Sequence, residues 1–375
     1  MPNRGLKRAI LIAMLASWAS KTFLRKSGET ISGRVLLGLR PSAIQELAVD
    51  RKIVLVSGTN GKTSTTRFLT KILRQLGPVA TSESGSNLAW GIASSLMSPE
   101  EYAVLEIDEL HLPSILAQTN PKVVLLLNLT RDQLHRMHEV KRVAEKWREI
   151  AELATEVTFV VDVDDPYVNY ATATASKVIR ISFGGRSHPD GAVCPQCGMY
   201  LRWRDGIYDS DCGLTNRSYD KKYEAASAGE RNAILANVAA GHFGAQWLTA
   251  NPGELERTIT KEIGEVESVI RLTKNPASWT EALTSVTSKD IILILNSREV
   301  DGIDTSWLFD VSFEILRGRN ILVTGERALD LQYRLHVQGI EALSSENYES
   351  AMRSFSPGTK VQVLSAYTAF FELSR

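Results

Sequence analysis

The feature that most constrains the fold of this chain is a glycine-containing loop between an apolar run and a helical pattern. The apolar run covers residues 53–57, and the helical pattern covers residues 63–76. The loop consists of Gly58, Thr59, Asn60, Gly61, Lys62 and Thr63. In a strand–loop–helix unit, glycines let backbone N–H groups surround phosphate oxygens, and the helix N-terminus adds partial positive charge. The sequence therefore predicts a nucleotide-binding loop in an α/β fold.

Two side chains of this loop carry the expected chemistry. Lys62 is placed to reach the β- and γ-phosphates, and the Thr63 hydroxyl is placed to bind Mg²⁺. The loop is a variant, because Val56 stands where the usual GxxxxGK[ST] pattern has its first glycine. The alternative is a chance turn with the same letters. The strand before the loop and the helix after it favour the phosphate-binding interpretation.

Short apolar runs and helical patterns alternate along the chain. The predicted strands are 53–57, 103–107, 123–127, 158–161, 178–181, 291–295, 321–324 and 361–364, and helices include 63–76, 140–153 and 328–337. This alternation predicts mostly parallel sheets with helices on both faces. A chain of 375 residues suits two or three domains. We expect a helical segment at 1–45, a central ATP-binding domain at 46–257 with an insertion at 184–222, and a C-terminal, Rossmann-like α/β domain at 258–375.

Charge and cysteine content disfavour several classes of protein. Lys and Arg total 43, as do Asp and Glu, and this zero net charge disfavours a general nucleic-acid binder. Three cysteines are too few for a disulfide framework and favour a reducing compartment. No stretch reaches the roughly 18 uncharged apolar residues of a membrane span. We therefore expect a cytoplasmic protein that does not bind nucleic acid.

The start of the chain differs from the rest in charge. Residues 1–52 contain ten Lys or Arg against three Asp or Glu, and residues 9–19 are apolar. Three interpretations remain open: a helix docked on the protein, a helix lying on the inner face of the cell membrane, and a signal peptide. The phosphate loop argues against export.

Polar residues follow the predicted strands beside the loop. Glu106 and Asp108 end one strand, and Asn128 follows the next. Because the carboxyl ends of parallel strands meet at one edge of a sheet, these carboxylates are candidates for Mg²⁺, the alternative being a solvated acidic turn. His135 and His138 are three residues apart, but no third ligand is evident. An ordinary helix face is therefore favoured for the two histidines.

Several motifs together resemble a known family. GTNGKTSTT, SGSNLAWGI, LEIDE, NLTRDQLHR and VDVDDP resemble, in the same order, the ATP-dependent Mur ligases and folylpolyglutamate synthases. Three further motifs, CPQCG, LTKNPASW and VDGIDTSWLFD, resemble more closely the ligase subunits of the lipid II isoglutaminyl synthases. This resemblance covers nearly the whole chain and implies a Mur ligase-like central domain with a zinc-ribbon-like insertion.

The resemblance implies an amide-forming reaction. ATP would phosphorylate the α-carboxyl of D-glutamate in the stem peptide of lipid II, and ammonia would convert the product to D-isoglutamine. The ammonia would come from a GatD-like glutaminase subunit in a heterodimer. ATP and Mg²⁺ are the implied cofactors, with Lys62 and Thr63 as phosphate and Mg²⁺ contacts and Glu106 as a metal ligand.

The resemblance also assigns roles outside the phosphate loop. Asn232 corresponds to a position near the nucleotide base, and Asn237 is a competing assignment because the spacing differs. Asn87 corresponds to a residue on the substrate-side loop. Asp304 corresponds to the carboxylate that completes the catalytic triad of the glutaminase by orienting its histidine. Sequence physics alone favours another role for Asp304, the cap of a helix that begins near Ser306.

Two neighbouring carboxylates, Asp301 and Asp310, compete with Asp304 for the glutaminase role because they lie close to it in the sequence.

All three cysteines lie in the insertion. Cys194 and Cys197 form a C-x-x-C pair that lets two thiolates share one metal ion, and Cys212 follows. The resemblance places a fourth cysteine where this chain has Ser210, so Asp209 or Asp211 is the candidate fourth ligand of Zn²⁺. A loop without metal and a redox role for the thiols are the alternatives.

Two other functions remain open at this level. One is a Mur-type or folylpolyglutamate-type ligase that adds an amino acid instead of ammonia. The other is a non-catalytic nucleotide-binding regulator, which would tolerate the loss of Lys62 or Glu106. Both residues are present.

Overall fold

The structure is a computed structural model of the whole chain. It describes residues 4–24, 29–82, 86–132, 140–185, 187–298 and 301–375. The chain divides into two compact units: Met1–Leu129 with Val140–Leu255, and Thr130–Glu139 with Glu256–Arg375. Each unit has its own hydrophobic core. The predicted domain limits differ slightly from this division and stay predictions.

The first unit contains the phosphate loop. Its helices are α1 (Arg4–Leu24), α2 (Glu29–Leu39), α3 (Ala43–Ala48), α4 (Lys62–Leu73), α5 (Ala89–Leu96), α6 (Leu112–Thr119), α7 (Val140–Leu153), α8 (Pro166–Thr172), α9 (Ala228–Gly241) and α10 (Pro252–Leu255). Its strands are β1 (Lys52–Ser57), β2 (Val79–Thr81), β3 (Tyr102–Glu106), β4 (Val123–Leu126), β5 (Thr158–Asp162), β6 (Val178–Ser182), β7 (Arg202–Arg204), β8 (Ile207–Asp209) and β9 (Lys221–Lys222).

Seven of these strands form one parallel sheet in the order β2-β3-β1-β4-β5-β6-β9. Strand β1 lies between β3 and β4, so the chain crosses from one side of β1 to the other between these two strands. In open α/β sheets, ligands bind outside the carboxyl ends of the strands at such a switch point. The phosphate loop follows β1 and therefore lies at this position.

Helical periodicity accounts for how the helices cover the sheet. Helix α7 buries Val140, Val143, Ala144, Trp147 and Ala151, which recur at the spacing of one helical face. Helix α4 contacts α9, and their apolar residues form one core with the central strands. The burial of both faces explains why the strands read as continuous apolar runs.

The insertion leaves the sheet after β6 and rejoins it at β9, which pairs with β6 at the sheet edge. Between them lies the antiparallel hairpin β7–β8, with a small core of its own that includes Cys194, Leu201, Tyr208 and Leu214.

The second unit is a mixed sheet with helices. Its strands are β10 (Thr258–Ile263), β11 (Val266–Leu272), β12 (Asp290–Ile294), β13 (Asn320–Thr324), β14 (Leu343–Ser344) and β15 (Lys360–Ser365). Its helices are α11 (Pro276–Thr284), α12 (Ala328–Val337), α13 (Tyr348–Arg353) and α14 (Tyr367–Leu373), with short 3₁₀ turns at Ser306–Asp310 and Glu314–Leu316. The strand order is β10-β11-β15-β12-β13-β14, and among the described strands of this second sheet only the β10–β11 pair is antiparallel.

The predicted fold class is confirmed, and each predicted strand is present with ends shifted by one residue or so. The β10–β11 hairpin was not predicted from the sequence. Strand β10 alternates exposed and half-buried side chains and contains Lys261 and Glu262, so it lacks an apolar run. The predicted helix at 63–76 ends earlier, at Leu73, because the next three residues form a turn before Gly77.

The N-terminal segment forms helices α1, α2 and α3, and α1 contacts α2 while α2 contacts α5. Among the described residues, no helix is both long and apolar enough to cross a membrane.

Candidate active site

The phosphate loop has a backbone that requires glycine at two positions. Gly58 has φ +139° and Gly61 has φ +85°, a region that side chains disfavour. A Cβ at Gly61 would lie 2.1 Å from Nδ2 of Asn232. Helix α4 begins at the next residue, and no described side chain caps its N-terminus. The loop thus leads into a helix N-terminus, and its glycines let a ligand come close to the backbone N–H groups. This arrangement binds phosphate.

Asn128, at the end of β4, holds the loop in this shape. Its Oδ1 accepts a hydrogen bond from Asn60 N (2.9 Å), its Nδ2 donates to Asn60 O (2.9 Å), and its carbonyl accepts from Thr59 N (2.8 Å). A side chain that satisfies both backbone groups of one residue fixes its orientation. The sequence placed Asn128 at this edge of the sheet, but its clamping contact was not predicted.

Lys62 folds back onto its own loop and meets an acidic partner. Its Nζ donates to Gly58 O (2.5 Å) and lies 2.9 Å from Oε1 of Glu109. Both side chains are nearly inaccessible, at 9% and 6% exposure. Trp147 Nε1 donates to the Glu109 carbonyl (2.9 Å) and fixes that segment. The contact of Glu109 with the loop was not predicted from the sequence. Its position three residues after Glu106, beyond the same strand, could have indicated that it lies near the loop.

Glu106 has the properties expected of a magnesium ligand. It is the last residue of β3 and is buried, and its Oε2 has no hydrogen-bond partner among the described residues. Its backbone N–H donates to Ser82 Oγ (2.7 Å), which ties β3 to the end of β2. An unpartnered buried carboxylate oxygen is costly unless something binds it, and Mg²⁺ prefers such oxygen ligands. The side chains present therefore fit Mg²⁺, with Thr63, which is also buried, on the adjacent loop.

The two asparagines that competed for the nucleotide role have different surroundings. Asn237 uses its side chain within the protein: Nδ2 donates to Ala233 O and Leu248 O, and Oδ1 accepts from Leu248 N. Asn232 lies one turn earlier on α9, with its amide against Gly61. The geometry therefore supports Asn232 over Asn237 as the residue at the phosphate loop.

Asn87 lies near the same edge of the sheet. Its carbonyl accepts a hydrogen bond from Asp108 N (3.0 Å), just beyond β3. The Asp108 side chain accepts from Leu110 N (3.0 Å) and so forms a local turn. The first unit thus contains the loop, Glu106, Asn87 and Asn232, and the roles that the resemblance implies for them stay predictions. Asp108 acts as a turn residue in this arrangement.

Asp304 and its neighbours lie in the second unit. Asp304 is exposed, and its Oδ1 accepts from Ser306 N (2.8 Å) at the start of a 3₁₀ turn. Asp301 is buried and accepts from Thr368 N (2.7 Å), Thr368 Oγ1 (2.6 Å) and Arg298 N (3.2 Å). Asp301 therefore anchors the loop to α14, whereas Asp304 projects from it. Asp310 forms an ion pair with Arg131 (3.0 Å).

The LTKNPASW motif forms the start of α11. Asn275 caps the helix in a capping box with Ser278, and Pro276 occupies its first turn. Asp132 contacts Lys274 Nζ (3.0 Å) and Asn275 Nδ2 (3.2 Å). The motif thus joins the segment after β4 to the second unit, to which that segment belongs. Gln133, His135 and His138 lie outside the described residues.

The three cysteines form one cluster. Their sulfurs lie within 4.8 Å of one another, and the Cys194 and Cys212 sulfurs are 3.6 Å apart. Burial opposes ionisation of Cys212, but hydrogen bonds from Ser210, the Leu214 N–H and the other thiols lower its pKa to about 7. Burial raises the pKa of Cys194. A set of neighbouring thiols with one lowered pKa fits a soft metal ion such as Zn²⁺.

The fourth position of this cluster differs from the expected one. Ser210 Oγ lies 3.2 Å from the Cys212 sulfur, where the resemblance placed a cysteine. Asp209 instead pairs with Arg217 (2.8 Å), and Asp211 pairs with Arg202. The predicted ligand role of Asp209 or Asp211 gains no support from these contacts.

The VDVDDP motif anchors the insertion to the sheet. Asp164 accepts hydrogen bonds from Phe183 N (2.8 Å) and Asn216 Nδ2 (2.8 Å). Asp165 accepts from Leu129 N (2.8 Å) and contacts His188 Nε2 (3.1 Å). Burial opposes the charge of Asp165, yet His188 and the backbone donors hold the pKa of this carboxyl below its usual range.

Comparisons with known proteins agree with this geometry. The family model "Mur ligase middle domain" matches residues 56–215, and the model "MurT ligase C-terminal" matches residues 272–370. The chain also resembles a solved pseudomurein peptide ligase type C from Methanothermus fervidus. That likeness has a TM-score of 0.64 at 18% identity and covers 88% of this chain and 81% of the other. The chain is thus similar to the Mur ligases in fold and in both matched regions, and its enzyme class is that of a carbon–nitrogen ligase.

Two curated relatives are similar to this chain over most of its length. The MurT subunit of the glutamine-hydrolyzing lipid II isoglutaminyl synthase of Staphylococcus aureus (strain N315) is 28% identical, over 89% of this chain and 88% of that protein. The corresponding subunit of Streptococcus pneumoniae (strain ATCC BAA-255 / R6) is 26% identical, over 96% and 95%. The chain is thus similar to MurT along nearly its whole length.

Proposed function

We propose that this protein catalyses the ATP-dependent amidation of the D-glutamate α-carboxyl in the stem peptide of lipid II. The observation that carries the proposal is the presence, in one chain, of a variant phosphate loop at the start of a helix and a match to the MurT ligase C-terminal model. A Mur ligase that adds an amino acid shares the loop but does not account for the second match. The relatives named MurT are subunits of a glutamine-hydrolyzing synthase, which supports ammonia as the nitrogen donor.

The reaction has two steps. A carboxylate oxygen of D-glutamate attacks the γ-phosphorus of ATP, which forms an acyl phosphate and releases ADP. The nitrogen of ammonia then attacks the acyl carbon, the C–O bond to phosphate breaks, and phosphate leaves as the nitrogen loses a proton. Mg²⁺, when bound, neutralises charge on the phosphates during the transfer.

In the first step, phosphoryl transfer from ATP, each of these residues of the first unit has a separate proposed role. The backbone of Gly58–Thr63 and the N-terminus of α4 cradle the phosphates, with Lys62 as the positive group beside them. Glu106 and Thr63 would hold Mg²⁺, Asn232 would face the nucleotide, and Asn87 would face the substrate. Lys62 must break its ion pair with Glu109 before its ammonium group can bind a phosphate.

The nitrogen for the second step comes from a partner subunit. None of the three cysteines lies in a strand-to-helix elbow typical of a glutaminase nucleophile, because all three belong to the insertion cluster. We propose a heterodimer with a GatD-like glutaminase, in which exposed Asp304 orients the histidine of the partner. We also propose a cytoplasmic location, because the proposed reaction consumes ATP. Cys194, Cys197 and Cys212 would hold Zn²⁺ in the insertion, where the metal would serve a structural role.

Product analysis tests the proposed function. The purified chain is incubated with ATP, Mg²⁺, ammonium chloride and a muropeptide that carries D-glutamate, and products are read by mass spectrometry. Conversion of one carboxyl to a carboxamide, with release of ADP, is expected. Lys62→Ala abolishes it, whereas Lys71→Ala, an exposed lysine on the same helix, retains it. A product that gains an amino acid would instead establish a ligase that adds amino acids. Nucleotide binding without any turnover, even with the glutaminase present, would establish a non-catalytic regulator.

A further inference from the structure

Helix α1 has two apolar sides, and the described part of the chain buries only one of them. Leu6, Ala9 and Ala13 are buried, and α1 packs against α2. The opposite side carries five large apolar side chains, which we call the outer face of α1. These are Leu11, Ile12, Met14, Leu15 and Trp18. Each is 50–62% exposed, so contact with the rest of the chain leaves about half of each side chain in water.

The outer face is continuous. Leu11, Leu15 and Trp18 follow one another at intervals of four and three residues, which places them along one stripe of the helix. Scattered exposed apolar residues are normal on a protein surface, but a contiguous patch marks an interaction site. Packing of α1 against the protein requires apolar side chains only on its buried side. The apolar residues of the outer face therefore need another explanation.

Positive charge accompanies the outer face. Arg4, Lys7 and Arg8 are exposed in the first turns of α1, and the helical spacing places Arg4 and Leu11 seven residues apart on the same side. Residues 1–28 contain six Lys or Arg and no Asp or Glu. The occupant of the outer face must therefore be apolar and carry negative charge at its boundary.

We propose that α1 docks this face on the surface of an anionic phospholipid bilayer. The helix lies parallel to the surface, with the apolar side chains among the upper acyl chains and the cations on the lipid phosphates. It does not insert across the bilayer, because its inner side is attached to the protein. Trp18 belongs to the residue type that prefers the membrane interface. This inference goes beyond the proposed function and does not depend on it.

Vesicle binding tests the inference. The full chain is mixed with vesicles of phosphatidylcholine, with and without phosphatidylglycerol, and bound protein is measured by sedimentation. Binding to the anionic vesicles is expected, and about 1 M salt, which shortens the screening length to about 3 Å, should weaken it. The triple variant Leu11→Ser, Leu15→Ser, Trp18→Ser should lose at least about tenfold in affinity. Arg4→Gln with Lys7→Gln and Arg8→Gln should behave similarly.

A matched control distinguishes binding through the outer face from non-specific hydrophobic binding to vesicles. Leu153→Ser removes an exposed leucine at the end of α7 and should bind vesicles like the unmodified chain. Trp18→Phe should retain binding but remove the blue shift of tryptophan fluorescence that vesicles induce, and thermal unfolding confirms that each variant is folded.

Three results would overturn the proposal. The first is the absence of binding to anionic vesicles, and the second is equal binding by the folded triple variant. The third is a dimer of this chain, or a complex with the glutaminase subunit, that forms without lipid and is lost in the triple variant. Either complex would show that protein covers the outer face.

Discussion

At the scale of the residue, the buried pair of Lys62 and Glu109 sets the resting state of the phosphate loop. The lysine is satisfied by one carboxylate and by carbonyls of its own loop, so its charge is compensated before any nucleotide arrives. Phosphate binding must compete with that carboxylate. The strength of nucleotide binding therefore depends on Glu109 as well as on the loop.

Glu109→Gln should lower stability and strengthen the response to nucleotide. Removing one member of a buried ion pair leaves the other charge uncompensated, at a cost of about 3 kcal/mol. ATP phosphates would restore the compensation, so ATP with Mg²⁺ should raise the melting temperature more in the variant than in the unmodified protein. Glu145→Gln, which alters an exposed pair with Lys141, is the control. Equal ATP-induced shifts in both would show that Glu109 does not compete with nucleotide.

Asp304 and Asp301 act at the same scale but in different ways. The loop that carries them is held by Asp301 through its contacts with Thr368, which leaves Asp304 at the surface. A carboxylate that serves a partner must be exposed, and one that fixes a loop must be buried. Burial therefore separates two residues that the sequence could not.

Asp304→Asn should impair amide formation from glutamine but not amide formation from free ammonia. With the GatD-like subunit present, amide formation from glutamine should fall by about 10³-fold or more, because the histidine of the partner loses its orienting carboxylate. Amide formation from ammonium chloride should persist. Asp310→Asn should preserve both activities, since that side chain pairs with Arg131. Equal losses with glutamine and ammonia would place Asp304 outside the glutaminase triad.

At the scale of the element, the loop between β1 and α4 is held by side chains from β4 and α9. Asn128 satisfies the backbone of Asn60, and Asn232 fills the space beside Gly61. The conformation of this element is therefore set by the sheet and by a distant helix, and not by its own glycines alone.

Gly61→Ala should abolish nucleotide binding while the chain remains folded. The added Cβ meets Asn232, and the positive φ of this residue costs about 1–2 kcal/mol for a side chain, so the loop must move. Gly38→Ala in α2 is the control, because no atom lies within 4 Å of the Cβ it would carry. ATP binding measured by calorimetry should be lost only in the first variant. Retained binding in Gly61→Ala would show that the loop tolerates displacement.

At the scale of the whole molecule, the two units have separate cores, and the cysteine cluster belongs to the first. Asp164 and Asp165 link the insertion to the ends of the central strands. Loss of a metal from the cluster should therefore affect the unfolding of the first unit and leave that of the second unchanged.

Zinc content and unfolding calorimetry test this expectation. A chelator should lower the melting temperature of the first unit only, and Cys197→Ser should reduce the zinc retained on purification. Ser210→Cys should increase retention, because a fourth thiolate completes a tetrahedral site. Asp209→Asn and Asp211→Asn should not change it, since both carboxylates pair with arginines. Loss of zinc in either aspartate variant would restore that aspartate as the fourth ligand.

The sequence by itself determined the features that depend on neighbouring residues. The phosphate loop and the α/β alternation each arise within a few positions, where periodicity and backbone preference act. The resemblance implied roles for Glu106, Asn87 and Asn232, and the structure places all three residues in the first unit.

Only the tertiary structure decided contacts between residues far apart in the sequence. Lys62 and Glu109 are 47 residues apart, and Asp132 and Lys274 are 142 apart. Ser210 faces the cysteines because a tight turn directs it there, while its acidic neighbours meet arginines. Strand β10 forms because β11 offers a partner, although its own residues lack an apolar run. Such outcomes depend on which surfaces meet in the folded chain, and local pattern carries no information about that.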